Sequence, residues 1–243
     1  RRAWTEVGEE ILAATARVGG SGWYILGEEV RRFETTLAAH WGLPHAVGVG
    51  NGLDALEIGL RCLGIGAGDR VVTTPVSAFA STLAILRAGA IPVFVDVDER
   101  GLIDLDAAEE RLRRGDVRAL LPVHLYGHVV DLDRLADLAD RYDVRLLEDC
   151  AQSIGATWRG RSTGSAGGVA ATSFYPTKNL GAVGDGGMVL TDNDTLAEKV
   201  HMLRGHGAKV RDHYELLGYN SRLDSLQAAV LFDKFHVMRH LGK

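Results

Sequence analysis

The 243-residue chain contains only two cysteines, Cys62 and Cys150. That is too few for a disulfide framework, and both fit packing roles in a reducing cytoplasm. It has no basic excess: 27 Lys and Arg against 32 Asp and Glu give a net charge of −5, which offers no electrostatic footprint for nucleic acid. No apolar run is long enough to span a membrane, and the opening stretch RRAWTEVGEE has no signal-peptide core. An initiator Met is also absent, so we expect something to be missing at this end. No Walker A spacing, internal repeat or low-complexity tract occurs. Gly48 and Gly50 fit the first two glycines of a dinucleotide fingerprint, but Leu53 stands at the third, which argues against a nicotinamide-binding reductase.

What is present is an alternation. Short apolar, β-branched runs at 46–49, 70–73, 91–95, 119–123, 144–147 and 188–190 predict strands. Helical patterns lie between them, at 53–63, 82–88 and 131–141, the last placing Leu132, Leu135, Ala136, Leu138 and Ala139 on one stripe. Residues 6–18 and 28–40, on either side of GGSGWYILG, read as an N-terminal arm and a first helix. Continuously apolar strands separated by helices predict an α/β fold, a mostly parallel sheet flanked by helices. In such sheets the chemistry gathers at the carboxyl ends of the strands.

Three segments carry the candidate chemistry. In AVGVGNGLDAL a glycine turn opens a helix, so free N–H groups and a positive dipole end suit a phosphate; a plain tight turn is the equal alternative. RLLEDCAQS ends a strand in two carboxylates, Glu148 and Asp149. A buried carboxylate wants a cation, and a protonated pyridine nitrogen is one; a salt bridge to Arg or a metal site is the other reading. Gln152, three residues on, can donate its amide to a phenolic oxygen. In TSFYPTKNLGAVGDGG, Lys178 follows a Pro-restricted extended stretch and is bracketed by glycines. Desolvation would make its amine nucleophilic, although most lysines are simply exposed. Ser173 could donate to a phosphate. His124 and His128 in HLYGH have i, i+4 spacing, but no cysteine or carboxylate completes a metal set in the sequence, so packing is expected and no metal is assigned. Cys150 reads as a small residue rather than a nucleophile. Phe79 in PVSAFAST is either core or a ring that stacks on a planar cofactor.

The order NGLDAL, PVSAFAST, GAIPVFVDVD, LPVHLYGH, EDCAQSIGA, SFYPTKNLGAVGDGG, GYNSRLDSLQAA resembles the DegT/StrS family of sugar aminotransferases, over about 25–231. The resemblance implies the large domain of the aspartate-aminotransferase fold, with pyridoxal 5'-phosphate as cofactor. It implies Lys178 as the Schiff-base lysine and proton shuttle, Asp149 and Gln152 as partners of the pyridine nitrogen and phenolic oxygen, and Gly52, Leu53 and Ser173 at the phosphate. It implies Phe79 stacked on the ring, and Asn220 reaching the phosphate of a neighbouring subunit's cofactor in a homodimer with shared active sites. The implied reaction is glutamate-dependent amination of a keto group on a nucleotide-linked sugar, without nucleic acid or membrane. Leu53 departs from the Thr of many members, and the NGLDAL turn resembles members that aminate 3-keto deoxyhexoses. The expected organisation is an N-terminal arm at 1–27, a cofactor-binding large domain at 28–225, and at 226–243 the truncated start of a helix leading to a largely absent C-terminal small domain. In that tail, Leu226, Ala229 and Val230 form a stripe, whereas Phe232, Phe235 and Val237 fall off its line. Competing readings are a related sugar dehydratase, which carries His where Lys178 stands, and a cofactor-binding regulatory or inactive truncated module.

Overall fold

The computed structural model describes residues 2–210 and 212–241. In chain order the elements are α1 (Arg2–Ser21), α2 (Glu28–Trp41), β1 (His45–Val49), α3 (Gly52–Cys62), β2 (Arg70–Thr73), α4 (Phe79–Arg87), β3 (Ile91–Phe94), α5 (Leu105–Leu112), β4 (Ala119–Leu120), α6 (Leu132–Arg141), β5 (Arg145–Asp149), β6 (Thr157–Trp158), β7 (Arg161–Ser162), β8 (Val169–Ser173), β9 (Gly187–Thr191), α7 (Asp194–Arg204), β10 (Ala208–Val210), β11 (His213–Tyr214) and α8 (Ser225–Leu241). Capping explains several starts. The Asn51 side chain accepts the Asp54 N–H at the head of α3, and Asp104 and Asp131 cap α5 and α6 in the same way. Of the stripe expected on α6, Leu132, Leu135 and Leu138 are buried.

A seven-stranded sheet in the order β1-β9-β8-β5-β4-β2-β3 forms the centre. The pairs β2/β3, β2/β4, β4/β5 and β5/β8 are parallel, while β9 runs antiparallel to both β8 and β1. The expected mostly parallel sheet is therefore present, with one reversed strand. Helix α3 crosses it closely: a Cβ on Gly59 would lie 2.9 Å from the Leu147 side chain and 3.4 Å from that of Val169, which is why a glycine sits mid-helix despite its entropic cost.

Three sequence expectations change. Residues 169–173 form a central strand that the apolar runs did not suggest. The run at 119–123 pairs regularly only over Ala119–Leu120, then touches β5 through a single bridge between Val123 and Asp149. Finally, Phe232 and Phe235 are not stray apolar residues. Helix α8 lies between two helices and buries two faces: Ala228, Leu231, Phe232 and Phe235 pack into a cluster with Val30, Phe33 and Leu37 of α2, and Ala229 and Val230 meet Val7, Ile11, Ala14 and Val18 of α1. Val237 is partly buried against the second cluster. A helix with two partners needs a wider apolar arc than a single stripe.

Candidate active site

The carboxyl ends of β1, β2, β5 and β8 converge on one cavity of about 400 Å³. Gly52, Leu53, Asp149, Gln152, Ser173 and Lys178 all line it. Its volume falls in the range of small-molecule and cofactor sites.

One wall is the head of α3. Asn51 uses its side chain for the Asp54 N–H (2.8 Å) and its carbonyl for the Ala55 N–H (3.1 Å). The N–H groups of Gly52 and Leu53 remain as donors at the positive end of the helix, which suits an anion. Leu53 can therefore offer its backbone N–H, although it lacks the hydroxyl of Thr. Space at this corner is tight. A Cβ on Gly52 would lie 2.5 Å from the Cβ of Ser173, and one on Gly187 would lie 2.3 Å from the Asn51 carbonyl oxygen.

The floor comes from β5, whose pleat separates its two terminal carboxylates. Glu148 is fully buried away from the cavity, where it accepts the N–H groups of Gly164 and Ala166 (2.8 Å each) and pairs with His124 Nε2 at 2.9 Å. Asp149 faces the cavity. Its Oδ1 accepts the Ala151 N–H at 3.0 Å and its Oδ2 the Ser81 hydroxyl at 2.8 Å. It is 4% exposed, and among the described residues it has no ion pair. Burial pushes its carboxyl above the usual range, against the opposing pull of those hydrogen bonds and of the Lys178 charge. A buried carboxylate with room for a cation at the cavity wall fits a protonated ring nitrogen.

The remaining wall is the loop after β8. The Lys178 N–H donates to the Tyr175 carbonyl (2.8 Å), and the Ala182 N–H closes the loop onto the Phe174 carbonyl (2.8 Å). Gly181 is required here, since a Cβ would lie 2.5 Å from the Pro176 carbonyl oxygen. Gln152 is oriented by its neighbour: Oε1 accepts the Tyr126 N–H at 3.3 Å, which leaves the amide NH2 as the donor end. Tyr126 adopts a left-handed backbone with φ of 56°, unusual for an aromatic residue and typical of strain kept at a functional site.

Two expected residues stand apart. Phe79 is 67% exposed and is not part of the cavity lining, which in this segment comes from Ser77, Ala78 and Ala80. Asn220 is exposed, bridges Gly205, and does not reach this chain's own cavity. The sequence reading also missed Ser77, Tyr175 and Asp185, all on the lining. Asp185 lies in the GDGG turn, where only the glycines had drawn notice.

The histidine reading needs correction in its reason. Glu148 and Cys150 do come within 4.8 Å of His124, so a carboxylate and a cysteine are at hand. They are remote in sequence and meet only because the chain after β4 runs beside β5. The set is nonetheless committed elsewhere. His124 Nδ1 accepts the Val130 N–H (3.2 Å), so Nε2 carries the proton toward Glu148, and burial raises the Cys150 thiol well above its ordinary value.

A profile of the DegT/DnrJ/EryC1/StrS aminotransferase family matches residues 5–242. A dTDP-3-amino-3,4,6-trideoxy-alpha-D-glucose transaminase from Streptomyces venezuelae is 48% identical over 231 residues, covering 95% of this chain and 61% of that protein. A UDP-N-acetyl-3-dehydro-alpha-D-glucosamine 3-aminotransferase from Acidithiobacillus ferrooxidans is 43% identical over 227 residues, covering 93% of this chain and 62% of that protein. The crystal structure of S. venezuelae DesV in complex with a ketimine intermediate superposes with a TM-score of 0.95 at 47% identity, covering 98% of this chain and 64% of that one. The chain thus spans less than two thirds of the length of these relatives. No helix of the described residues is long and apolar enough to cross a membrane.

Proposed function

The chain belongs to the DegT/DnrJ/EryC1/StrS aminotransferase family, and from that premise we propose that it carries the pyridoxal-phosphate site of an enzyme that transfers an amino group from glutamate to a keto group on a nucleotide-linked sugar. The observation that carries this reading is the convergence of Lys178, Asp149, Gln152, Ser173 and the head of α3 on one cavity. The names of the relatives support carbon 3 as the position aminated.

Pyridoxal phosphate, when bound, supplies an electron sink. The chain's residues divide the remaining work. The N–H groups of Gly52 and Leu53 and the Ser173 hydroxyl hold the phosphate. Asp149 keeps a proton on the ring nitrogen. The Gln152 amide donates to the phenolic oxygen. The Lys178 amine is the group that would hold the cofactor, and its Nζ is placed to carry a proton at the reacting carbons. A second, more polar cavity of about 440 Å³, lined by Tyr126, Gly127, Gln152, Thr177, Lys178 and Asn179, adjoins the first and shares Lys178 and Gln152 with it. This is where the sugar would approach. The deciding experiment incubates the protein with pyridoxal phosphate, glutamate and a panel of keto-sugar nucleotides. Amination of a 3-keto sugar nucleotide is expected, and no amination of any member would refute the reading.

The tight corner makes a sharp prediction. Gly52→Ala forces Ser173 away from the phosphate position, so pyridoxal-phosphate affinity should drop at least about tenfold, roughly 1.4 kcal/mol. Equilibrium dialysis checks this, and unchanged affinity would remove the head of α3 from the site.

We also propose a homodimer in which Asn220 serves the partner's cofactor. Its position, exposed and outside its own cavity, supports that role, and an isologous interface would make the exchange mutual. Mixing inactive Lys178→Ala with inactive Asn220→Ala protein should restore part of the activity. No recovery in verified mixed dimers would remove Asn220 from the shared site.

A further inference from the structure

Beneath the cavity wall lies a hydrogen-bonded chain that the cofactor reading does not use. Ser81, in the first turn of α4, is fully buried and donates to Asp149 Oδ2 at 2.8 Å. Its own oxygen lies 2.8 Å from the Ser77 hydroxyl. A serine has one proton to give. With Ser81's directed at the carboxylate, Ser77 donates to Ser81, and the chain runs Ser77, Ser81, Asp149. Ser77 itself lines the cavity, so the chain begins at the wall and ends on the group that would face the ring nitrogen. The carbonyl of Ala78 lies at 3.4 Å from Ser81, a much poorer acceptor site for that proton.

We propose that Ser81, itself oriented by Ser77, is a positioning residue that holds Asp149 as an oriented carboxylate, so that the shared proton rests on the ring nitrogen rather than on Asp149. The proposal rests on the cofactor reading above. Its physical basis is that a hydrogen bond to the charged form favours that form, and that donors in series polarise one another in a low-dielectric interior. Other groups facing Asp149 act in known directions. Lys178, from the loop after β8, favours the charged carboxylate, as does the Ala151 N–H, while His124, from the segment after β4, turns its Nε2 to Glu148. Glu148 and Cys150 flank it in sequence, Glu148 on the same strand. Burial is the largest influence and opposes ionisation, and among the described residues Ser81 is the one side-chain donor set directly against it. Losing a hydrogen bond to a charged group favours the neutral form, so removing the Ser81 hydroxyl pushes the Asp149 carboxyl pKa up.

The test uses cofactor-free chain labelled with 13C at the aspartate carboxyls, the Asp149 resonance being assigned by its loss in Asp149→Asn. In Ser81→Ala the titration midpoint of Asp149 should rise by at least about one pH unit; in Ser77→Ala it should rise by less. A second readout uses pyridoxal phosphate labelled with 15N in the ring. Its resonance should sit at the protonated position in the unsubstituted protein and move toward the neutral position in Ser81→Ala. A general packing defect would lower the melting temperature without moving either signal. Should Ser81→Ala fail to fold, Ser77→Ala at the half-buried wall carries the same test. An unchanged Asp149 midpoint in the variants that fold would overturn the proposal. If the ring nitrogen is already neutral in the unsubstituted protein, it is the cofactor reading of Asp149 that fails, while the 13C titration still decides whether Ser81 governs its ionisation.

Discussion

Replacing Lys178 with Ala is expected to lower transamination on the order of a thousandfold or more, the upper part of the range that one positioned proton-transfer group supplies. Two losses combine. Among the described residues the cavity wall loses its one amine that can hold the cofactor covalently, and with it the group that moves the proton between carbons. Because the phosphate and phenolic contacts come from other residues, Lys178→Ala should still bind pyridoxal phosphate, now without a covalent bond. The absorption of the bound cofactor should change accordingly, and dialysis should remove it. Lys178 is half-buried and its backbone N–H, not its side chain, closes the loop onto Tyr175, so the fold should survive the substitution. Retained turnover in Lys178→Ala would show that Lys178 is not the group that moves the proton.

Asp149→Asn should separate stability from function in opposite directions. Turnover should fall severely while cofactor binding is largely kept, since an amide cannot hold the ring nitrogen protonated. Without cofactor the sign for stability reverses. Burial raises the folded-state pKa of Asp149 above its unfolded value near 3.9, so the folded state binds more protons through that window and stability falls as pH rises through it. Below the unfolded value the penalty is absent; above the folded value it is complete. At neutral pH, Asn removes the ionisation while its oxygen can still accept the Ala151 N–H and its NH2 can donate to Ser81. Cofactor-free Asp149→Asn should therefore melt higher than the parent at pH 7, by on the order of a few degrees, and the difference should vanish toward pH 4. Thermal scans at the two pH values check this. A lower melting temperature for the variant at pH 7 would show that the carboxylate stabilises the empty site.

Much of this arrangement was legible in the sequence, and the gaps have physical causes. Strands buried on both faces read as continuous apolar runs, which made β1, β2 and β9 visible, and the edge strand β3 showed as an apolar run although Ile91 and Phe94 are exposed. Strand β8 reads VAATS and escaped notice because its small residues suit the close passage of α3, seen also at Gly59. Asp149 and Gln152 could be found because they end or follow a strand that the apolar run marks, where the sheet gathers chemistry, whereas Lys178 and Ser173 stood out by the Pro- and Gly-bracketed segment they share and by the order of motifs. Ser81 could not. Its partner is sixty-eight residues away and the bond exists only because α4 packs beside the end of β5. The meeting of Glu148 and Cys150 with His124 is of the same kind. Phe79 was placed at the right segment, but the segment alone does not say which side chains turn toward the cavity. The aromatic residues of α8 looked out of register because a sequence stripe assumes one packing partner, and this helix has two.

The central claim is that one lysine, Lys178, anchors the cofactor in this cavity. Reduction of the pyridoxal-phosphate-loaded protein with borohydride, followed by digestion and mass spectrometry, tests it most directly. The expected result is a single pyridoxyl-labelled peptide containing SFYPTKN with the label on Lys178, and no such peptide from Lys178→Ala. Stoichiometric label on another lysine, such as Lys199 or Lys234, with Lys178 unmodified, would contradict the account.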